Sequence, residues 1–474
     1  MATDPKDLQR RAASRLVELA PVVQLLGQHF AESGHELSLV GGSVRDALLS
    51  RLGQDLDFAT SARPEQVQEL VAPLADAVWD IGRAYGTIGA QIDGFTCEIT
   101  TYRAEQYDVG SRKPEVRFGD TLEADLVRRD FTVNAMAVRL PDLAFVDPHD
   151  GLGDLRRRVL RTPATPTESF DDDPLRMLRA ARFSATLDFT VDPAVVTAMT
   201  DMAQRLAIVS AERIRDELVK LLLADRPRTG LALLVDTGLA EYVVPELPML
   251  RLEVDEHHRH KDVYEHTLTV LEQAIDLEPA GPDLVLRLAA LLHDVGKPRT
   301  RRYEPGGRVS FHHHEVVGAR MAAKRLTALR FDKHTVDDVT RLVELHLRFH
   351  GYTEGEWTDS AVRRYVRDAG ELLPRLHRLT RADCTTRNRR KAAALSHAYD
   401  QLEQRIDVLA QEEELAAIRP DLDGNAIMSI LGIPPGRAVG EAYRYLLELR
   451  LDRGPLPHDE AVAQLRSWWA SRPS

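Results

Sequence analysis

The sequence predicts an α+β fold in which a small mixed-sheet head is followed by helices almost to the end of the chain. Strand patterns are confined to residues 37–160, where short alternating segments are separated by glycine-containing turns. Beyond residue 160 the apolar residues recur at helical spacing almost without exception. Because 474 residues exceed the size at which one hydrophobic core stops growing, several domains are expected.

Shifts in composition divide the chain into five predicted parts. They are an N-terminal helical segment (1–36), the mixed-sheet head (37–160), an all-α neck (161–250), a histidine-rich helical domain (256–385) and a helical C-terminal tail (386–474).

The net charge and the number of cysteines limit the expected location and binding partners of the protein. The net charge of −12 argues against indiscriminate binding of nucleic acid, although residues 341–391 carry a local excess of basic side chains. Cys97 and Cys384 are the two cysteines of the chain, which excludes a disulfide framework and suits a reducing cytoplasm. The apolar runs are too short to span a bilayer, so we expect a cytoplasmic protein without a membrane partner.

Two carboxylates mark the first candidate site. Asp55 and Asp57 lie in QDLDFAT, which alternates as a half-buried strand does, and so they project from the same face. Two carboxylates at such a short distance repel each other unless a cation neutralises their charge. Mg²⁺ prefers such oxygen ligands together with substrate phosphates, whereas an ordinary solvated strand edge is the alternative.

A glycine-containing turn, Gly41-Gly42-Ser43, precedes this strand and leads into a helix predicted over Val44–Leu52. The amino end of a helix offers N–H groups to an anion, although a Gly-Gly pair taken alone is usually a turn. Together with the two aspartates, this stretch resembles motif A of the nucleotidyltransferase superfamily. It is particularly similar to class II tRNA CCA-adding enzymes and their poly(A) polymerase relatives.

Two further motifs in the head carry the same resemblance. Glu98 lies in CEITTYR, on a strand predicted to neighbour that of the aspartates, and the resemblance implies that it is the third acidic residue of the metal site. An exposed polar position in an alternating strand is the alternative. Arg129 and Asp130 stand in RRDFTVNAMA, ahead of a run predicted to be helical over 131–138, and the resemblance implies that they recognise the ribose. An aspartate can accept a hydrogen bond from a 2′-hydroxyl, which would favour ribonucleotides.

The neck begins with SFDDDPLRMLRAARF, where Asp173 and Arg176 are one helical turn apart. An intrahelical ion pair is one interpretation of this spacing. The resemblance instead identifies the pair with the EDxxR motif, whose acid and arginine bind the edge of the incoming base. Asp172 stands where the family usually has glutamate, which puts its own role in doubt. We expect structural support for the nucleotide site from Glu212, Arg213 and Arg215.

A second candidate site lies in the histidine-rich domain. The His293-Asp294 pair in LLHDVGKP resembles the HD phosphohydrolase superfamily, and other imidazoles and carboxylates follow in the order of that family. The implied ligands of a divalent transition metal, whose identity the sequence leaves open, are His266, His293, Asp294, His314, His346 and Asp383. The resemblance further implies phosphatase or phosphodiesterase activity, with two metals in members that carry the extra histidines.

The expected function is template-independent addition of CCA to tRNA 3′ ends from CTP and ATP. The resemblance implies that Asp55 and Asp57 hold two Mg²⁺ ions. It also implies that Gly41, Gly42, Ser43 and Arg45 grip phosphates. The expected partners are tRNA, CTP and ATP. A poly(A) polymerase remains the nearer alternative, and an HD hydrolase with an RNA-binding, transferase-like head is the second.

Overall fold

The computed structural model describes residues 21–80, 82–83, 86–102, 119, 121–251, 262–305, 309–349, 357–384, 389–412 and 418–472. They belong to two compact units, Met1–Val243 and Val244–Ser474. The first 20 residues of the predicted N-terminal helical segment lie outside the described residues. The first unit contains both the predicted head and most of the predicted neck.

A seven-stranded mixed sheet, in the order β3-β4-β5-β2-β1-β6-β7, forms the head. The strands are β1 (Leu37–Val40), β2 (Asp55–Thr60), β3 (Ala77–Trp79), β4 (Thr87–Ile92), β5 (Phe95–Thr101), β6 (Ala137–Leu140) and β7 (Ala144–Val146). β2 and β5 pair in parallel, and the other neighbours pair antiparallel. A parallel pair needs a long crossover connection, and the chain between β2 and β5 supplies a helix and two strands for it. A separate parallel pair joins β8 (Val159–Leu160) to β9 (Thr190–Val191).

Eleven helices are described in the first unit. They are α1 (Pro21–Glu32), α2 (Gly41–Leu48), α3 (Pro64–Val71), α4 (Leu122–Val127), α5 (Gly151–Arg157), α6 (Pro166–Asp172), α7 (Leu175–Leu187), α8 (Pro193–Asp201), α9 (Ala211–Leu222), α10 (Pro227–Asp236) and α11 (Ala240–Val243). Their starts follow from local sequence. Thr165 and Glu168 form a capping box at α6, and the hydroxyl of Ser210 caps α9.

The helical run predicted over 131–138 is wrong. A 3₁₀ turn covers Thr132–Asn134, and the chain then enters β6. β6 lies beside β1 inside the sheet, where Val138 is fully buried and pairs with Leu39. Sheet pairing and burial therefore override the helical tendency of this short segment. The helix predicted over Val44–Leu52 also differs, because it begins at Gly41 and ends at Leu48.

Two glycines, which carry no Cβ, allow close packing between elements of this unit. A Cβ at Gly27 of α1 would lie 2.6 Å from the Cβ of Leu140 in β6, so the glycine lets α1 pack directly on the sheet. A Cβ at Gly230 of α10 would lie 2.4 Å from the carbonyl oxygen of Ala181 in α7. The two helices can therefore pack at backbone distance.

The described part of the second unit is almost entirely helical. Its helices are α12 (Val263–Asp276), α13 (Leu284–Leu292), α14 (Lys297–Thr300), α15 (His314–Ala328), α16 (Lys333–Leu345), α17 (Asp359–Ala369), α18 (Leu373–Ala382), α19 (Arg389–Glu412), α20 (Gly424–Leu431), α21 (Arg437–Arg453) and α22 (His458–Ala470). A short antiparallel pair, β10 (Arg302–Tyr303) and β11 (Val309–Ser310), interrupts them. Helices α20, α21 and α22 share a small apolar core of their own. Among the described residues, no helix combines the length and the apolar character needed to cross a membrane.

Candidate functional site

The three acidic residues predicted in the head lie together on two neighbouring strands. Asp57 of β2 is directly opposite Glu98 of β5 in the parallel register, and Asp55 lies two residues earlier on the same face. Burial, together with Glu98 and Asp55, raises the pKa of Asp57 against the lowering effect of Arg129 and Arg45. The carboxylates therefore repel one another, and a divalent cation between them would relieve that repulsion.

The start of α2 lies against this acidic cluster. Gly41 has φ +69°, and a Cβ there would lie 2.7 Å from Nη1 of Arg129 and 3.6 Å from Oδ2 of Asp57. Arg129 also pairs with Asp125 at 3.0 Å. The hydroxyl of Ser43 accepts a hydrogen bond of 2.8 Å from the backbone N–H of Asp57. The N-cap residue, Val40, makes no side-chain hydrogen bond to the helix start, and the positive end of the helix lies close to the carboxylate of Asp57.

Arg45 is already held by protein partners. Its guanidinium donates to both carboxylate oxygens of Asp46 at 2.7 and 2.8 Å, and to Oδ1 of Asn134 at 2.6 Å. A Cβ at Gly42 would lie 3.5 Å from Nη2 of Arg45, so the glycine backbone passes directly beside the cation. The arginine is thus fixed in direction beside the glycine turn, and its charge lowers the pKa of Asp57.

Asp130 is buried and accepts three hydrogen bonds. Oδ1 accepts from the N–H of Phe131 and from Nδ2 of Asn134, while Oδ2 accepts from Nε of Arg179 at 2.7 Å. Nη2 of Arg179 also forms an ion pair with Oδ2 at 2.5 Å. Burial alone would raise the pKa of this carboxyl, but Arg179 and the other donors lower it to about 2. A ribose hydroxyl would have to share or replace one of these bonds.

Asp173 and Arg176 are bound to different partners within the first unit. Oδ2 of Asp173 accepts from Nη2 of Arg213 at 2.7 Å, and its Oδ1 accepts from a backbone N–H in the first turn of α7. Nη1 of Arg176 donates to Oγ of Ser169 at 2.9 Å, and its Nη2 donates to the carbonyl of Arg128 in the head. Arg176 therefore connects the RRD segment to the neck.

Three supporting residues of this site were not predicted. Arg179 is one further helical turn along α7 from Arg176, and Asp125 is one turn before Arg129, so the i, i+3 and i, i+4 spacings could have pointed to both. Asn134 is four residues after Asp130, so the same spacing could have indicated that contact, but no local spacing indicates its second bond to Arg45, 89 residues away. Only the fold brings these side chains together.

The six predicted ligands of the second unit converge from the ends of five helices. Two groups of ligand atoms, each lying within 4.8 Å of one another, share Asp294. The first is His266, His293 and Asp294, and the second is Asp294, His314 and His346. Asp383 joins the first group, because its Oδ1 lies 2.9 Å from Nε2 of His266. Imidazole and carboxylate donors grouped in this way could hold divalent metal.

Backbone carbonyls orient three of these imidazoles. Nδ1 lies 2.6–2.8 Å from a backbone oxygen in His293, His314 and His346, which makes Nδ1 the donor. Nε2 of each ring is buried and has no hydrogen-bond partner in the described structure. Burial lowers the pKa of His346 to about 3, which keeps its ring neutral. Burial would lower the pKa of His293 as well, but the carboxylates of Asp294 and Asp383 raise it to about 9. Imidazoles that aim Nε2 at a shared carboxylate can serve as metal ligands once that nitrogen is unprotonated.

Lys297 was also not predicted as part of this cluster. Its Nζ lies 2.8 Å from Oδ2 of Asp294, one helical turn away in the HDVGK segment. The i, i+3 spacing could have indicated it.

Family models match three parts of the chain. The poly(A) polymerase head domain matches residues 37–161, and a model described as a probable RNA and SrmB-binding site of polymerase A matches residues 188–250. The HD domain matches residues 263–388.

Curated relatives match over most of their length. The A-adding tRNA nucleotidyltransferase of Deinococcus radiodurans is 36% identical over 444 residues, which cover 92% of this chain and 96% of that protein. The chain belongs to the tRNA nucleotidyltransferase family. Another member, the CC-adding tRNA nucleotidyltransferase of Thermus thermophilus, is 34% identical over 91% of this chain and 94% of its own.

A solved structure of this family has the same fold. The CCA-adding enzyme of Bacillus stearothermophilus in complex with CTP superposes with a TM-score of 0.66 at 25% identity, covering 95% of this chain and 98% of that one. The predicted family, the fold class and the nucleotidyltransferase character of the head are thereby confirmed.

Proposed function

We propose that this tRNA nucleotidyltransferase adds CCA to tRNA 3′ ends from CTP and ATP in its first unit. The observation that carries the proposal is the acidic cluster at the start of α2, where Asp57 and Glu98 lie opposite each other and Asp55 shares their face. The carboxylates fit Mg²⁺, because Asp57 is half-buried beside two other acids and hard cations prefer carboxylate oxygens as ligands. Two Mg²⁺ ions would stabilise the attacking and leaving oxygens of the transfer.

Three side chains of the first unit would position the substrates around the acidic cluster. Arg129 lies above Gly41 and beside Asp57, where a guanidinium can bind the triphosphate. The N–H groups at the start of α2 would bind phosphate in the same place. Arg176 contacts the RRD segment at the carbonyl of Arg128, and Asp173 is bound to Arg213; we assign Asp173 and Arg176 to the edge of the base.

The order of nucleotide addition decides between CCA addition and the alternatives. The relatives named above include A-adding, CC-adding and CCA-adding enzymes. Purified protein should be given tRNA ending before the CCA, after the first C and after the second C, with CTP or ATP separately. We expect C on the first two primers and A on the third. Addition of C alone, of A alone, or of long A tails to unrelated RNA would each contradict the proposal.

A substitution tests whether the acidic cluster performs the transfer. Asp55→Asn removes one charged ligand, and we expect nucleotide addition to fall at least a hundredfold. Glu69→Gln is the matched control, because Glu69 is an exposed carboxylate on α3. Near-normal addition by Asp55→Asn would reject this site.

The unpartnered imidazole nitrogens favour a second activity in the other unit. We propose that the cluster around Asp294 holds divalent transition metal and hydrolyses phosphate esters. For a 2′,3′-cyclic phosphate, one P–O bond forms to the oxygen of water and the P–O bond to one ribose oxygen breaks. The departing ribose oxygen takes up the proton that the attacking water loses. His293→Ala should lose metal and hydrolysis but retain nucleotide addition. His458→Ala, which changes an exposed histidine of α22, is the control. Hydrolysis that survives His293→Ala would reject the proposal.

A further inference from the structure

We propose that the described residues of the β10–β11 pair and on either side of it, which lie between the HD ligands Asp294 and His314, bind the single-stranded 3′ end of RNA beside the metal cluster. We call these residues the HD hairpin and define it as β10 and β11 with their described flanks, residues 299–303 and 309–313. This proposal rests on the phosphoesterase activity proposed above. It adds the substrate class, a single-stranded RNA end rather than a free phosphate monoester, and the element that recognises it.

The HD hairpin begins and ends at the metal cluster. A Cβ at Gly296 would lie 2.2 Å from the carbonyl oxygen of His314 and 2.7 Å from the backbone nitrogen of Gly318, so the incoming chain passes directly against the start of α15. The carbonyl of Phe311, the residue after β11, lies 2.8 Å from Nδ1 of His314. Nζ of Lys297 is 5.8 Å from the centre of the Phe311 ring. The hairpin is therefore tied at both ends to ligands or to their direct neighbours.

The outer surface of the HD hairpin is aromatic and basic. Tyr303 is 74% exposed, which makes it the most exposed large apolar side chain among the described residues. The guanidinium carbon of Arg301 lies 5.5 Å from the centre of its ring. Arg299 and Arg302 are also exposed. The carboxylate of Glu304 accepts from the hydroxyl of Ser310 across the two strands at 2.8 Å, so it closes the hairpin.

This combination fits single-stranded RNA better than a mononucleotide or a protein. An exposed tyrosine ring flanked by guanidinium groups provides a surface on which a base can stack, and successive bases of a strand use such rings without sequence preference. Several arginines spaced along a hairpin match a run of phosphates, whereas a single nucleotide offers only one site.

The test compares an RNA substrate with a small ester on the full chain. The substrates are an eight-nucleotide RNA ending in a 2′,3′-cyclic phosphate and bis(4-nitrophenyl) phosphate, with the protein loaded with the transition metal that supports hydrolysis. Tyr303→Ala should raise KM for the RNA about 5- to 100-fold, as expected for one stacked base, and leave kcat and the small ester unchanged. Tyr303→Phe should restore the RNA KM, because the ring is retained.

The arginines provide an independent readout. Each phosphate contact contributes about 0.7 to the slope of log affinity against log salt concentration for a single strand, so Arg301→Gln with Arg302→Gln should flatten the salt dependence of the RNA KM by about 1.4. Arg437→Gln, which changes a tail arginine whose side chain is 91% exposed, should leave it unchanged.

Three results would overturn the inference. An unchanged RNA KM in Tyr303→Ala would show that no base stacks there. An equal loss on both substrates would show a structural role instead. Metal-dependent RNA hydrolysis that survives His293→Ala would reject the HD activity itself, and the substrate assignment with it.

Discussion

Replacing Arg179 by glutamine removes the cation that keeps the buried Asp130 carboxylate charged. Asp130 is 7% exposed, and with Arg179 as its charged partner its pKa falls from an ordinary 3.8 to about 2, against the opposing effect of burial. One pKa unit corresponds to about 1.4 kcal/mol, so this shift stabilises the folded protein by roughly 2 kcal/mol at neutral pH. Breaking a buried pair costs about 3–5 kcal/mol, but Arg179 is one-third exposed, so we expect a loss of about 2–3 kcal/mol.

The pH dependence has a definite sign. Because the folded pKa lies below the unfolded one, the stabilisation from Asp130 is present above pH 3.8 and is lost as the pH falls through about 2. The difference in stability between Arg179→Gln and the parent protein should therefore be full at pH 7. It should narrow in acid, where Asp130 becomes protonated in both proteins.

Thermal unfolding at pH 7 measures this loss. A domain of about 150–250 residues shifts by about 2–4 °C per kcal/mol, so Tm of the first unit should fall by about 4–12 °C. Arg83→Gln is the matched control, because Arg83 and Glu65 form an exposed pair at 3.0 Å that we expect to contribute less than about 1 kcal/mol. A fall of less than 1 °C in Arg179→Gln, or a gap that widens on going from pH 7 to pH 4, would refute the reasoning.

Three further predictions concern close approaches and metal. In Gly41→Ala the new Cβ would lie 2.7 Å from Nη1 of Arg129, and we expect kcat/KM for nucleotide addition to fall at least tenfold. Gly34→Ala is the control, because Gly34 has a similar positive φ but open space around it, and this variant should lose only stability. Equal activities of the two variants would contradict the prediction. In Gly296→Ala the Cβ would lie 2.2 Å from the first carbonyl oxygen of α15, so the affinity for metal, measured by titration, should fall. Gly440→Ala, where no atom lies within 4 Å of the new Cβ, should bind metal with unchanged affinity. Adding the transition metal at a hundred times its Kd to chelator-treated protein should raise Tm of the second unit, since such binding stabilises by about 2.7 kcal/mol; an unchanged Tm would show that the cluster binds none.

Local patterns in the sequence predicted the strand of the aspartates and the family of the head. DLDFAT alternates with a period of two, and that period alone places Asp55 and Asp57 on one face. The same kind of reasoning failed over residues 131–138, because pairing with β1 in the middle of the sheet decides that segment. Local spacing carries no information about a partner that is distant in the chain.

Several partners of the candidate side chains are likewise far away in the sequence. Sequence spacing suggested that Asp173 could pair with Arg176, but Asp173 pairs with Arg213, forty residues away, on the next helix but one. Asp130 is bound by Arg179, forty-nine residues away. Such pairs depend on how α7 and α9 pack beside the head, which no local rule describes.

The sequence by itself determined which chemical groups are present and in what order. It supplied a carboxylate pair after a glycine turn, an arginine–aspartate motif, and an imidazole–carboxylate series in the order of the HD superfamily. Only the tertiary structure decided which of these groups meet. The parallel pairing of β2 with β5 sets Glu98 opposite Asp57, and five helix ends bring the HD ligands around Asp294. The physical reason is that a ligand cluster needs groups within a few ångströms of one another, and that distance is set by long-range packing rather than by position along the chain.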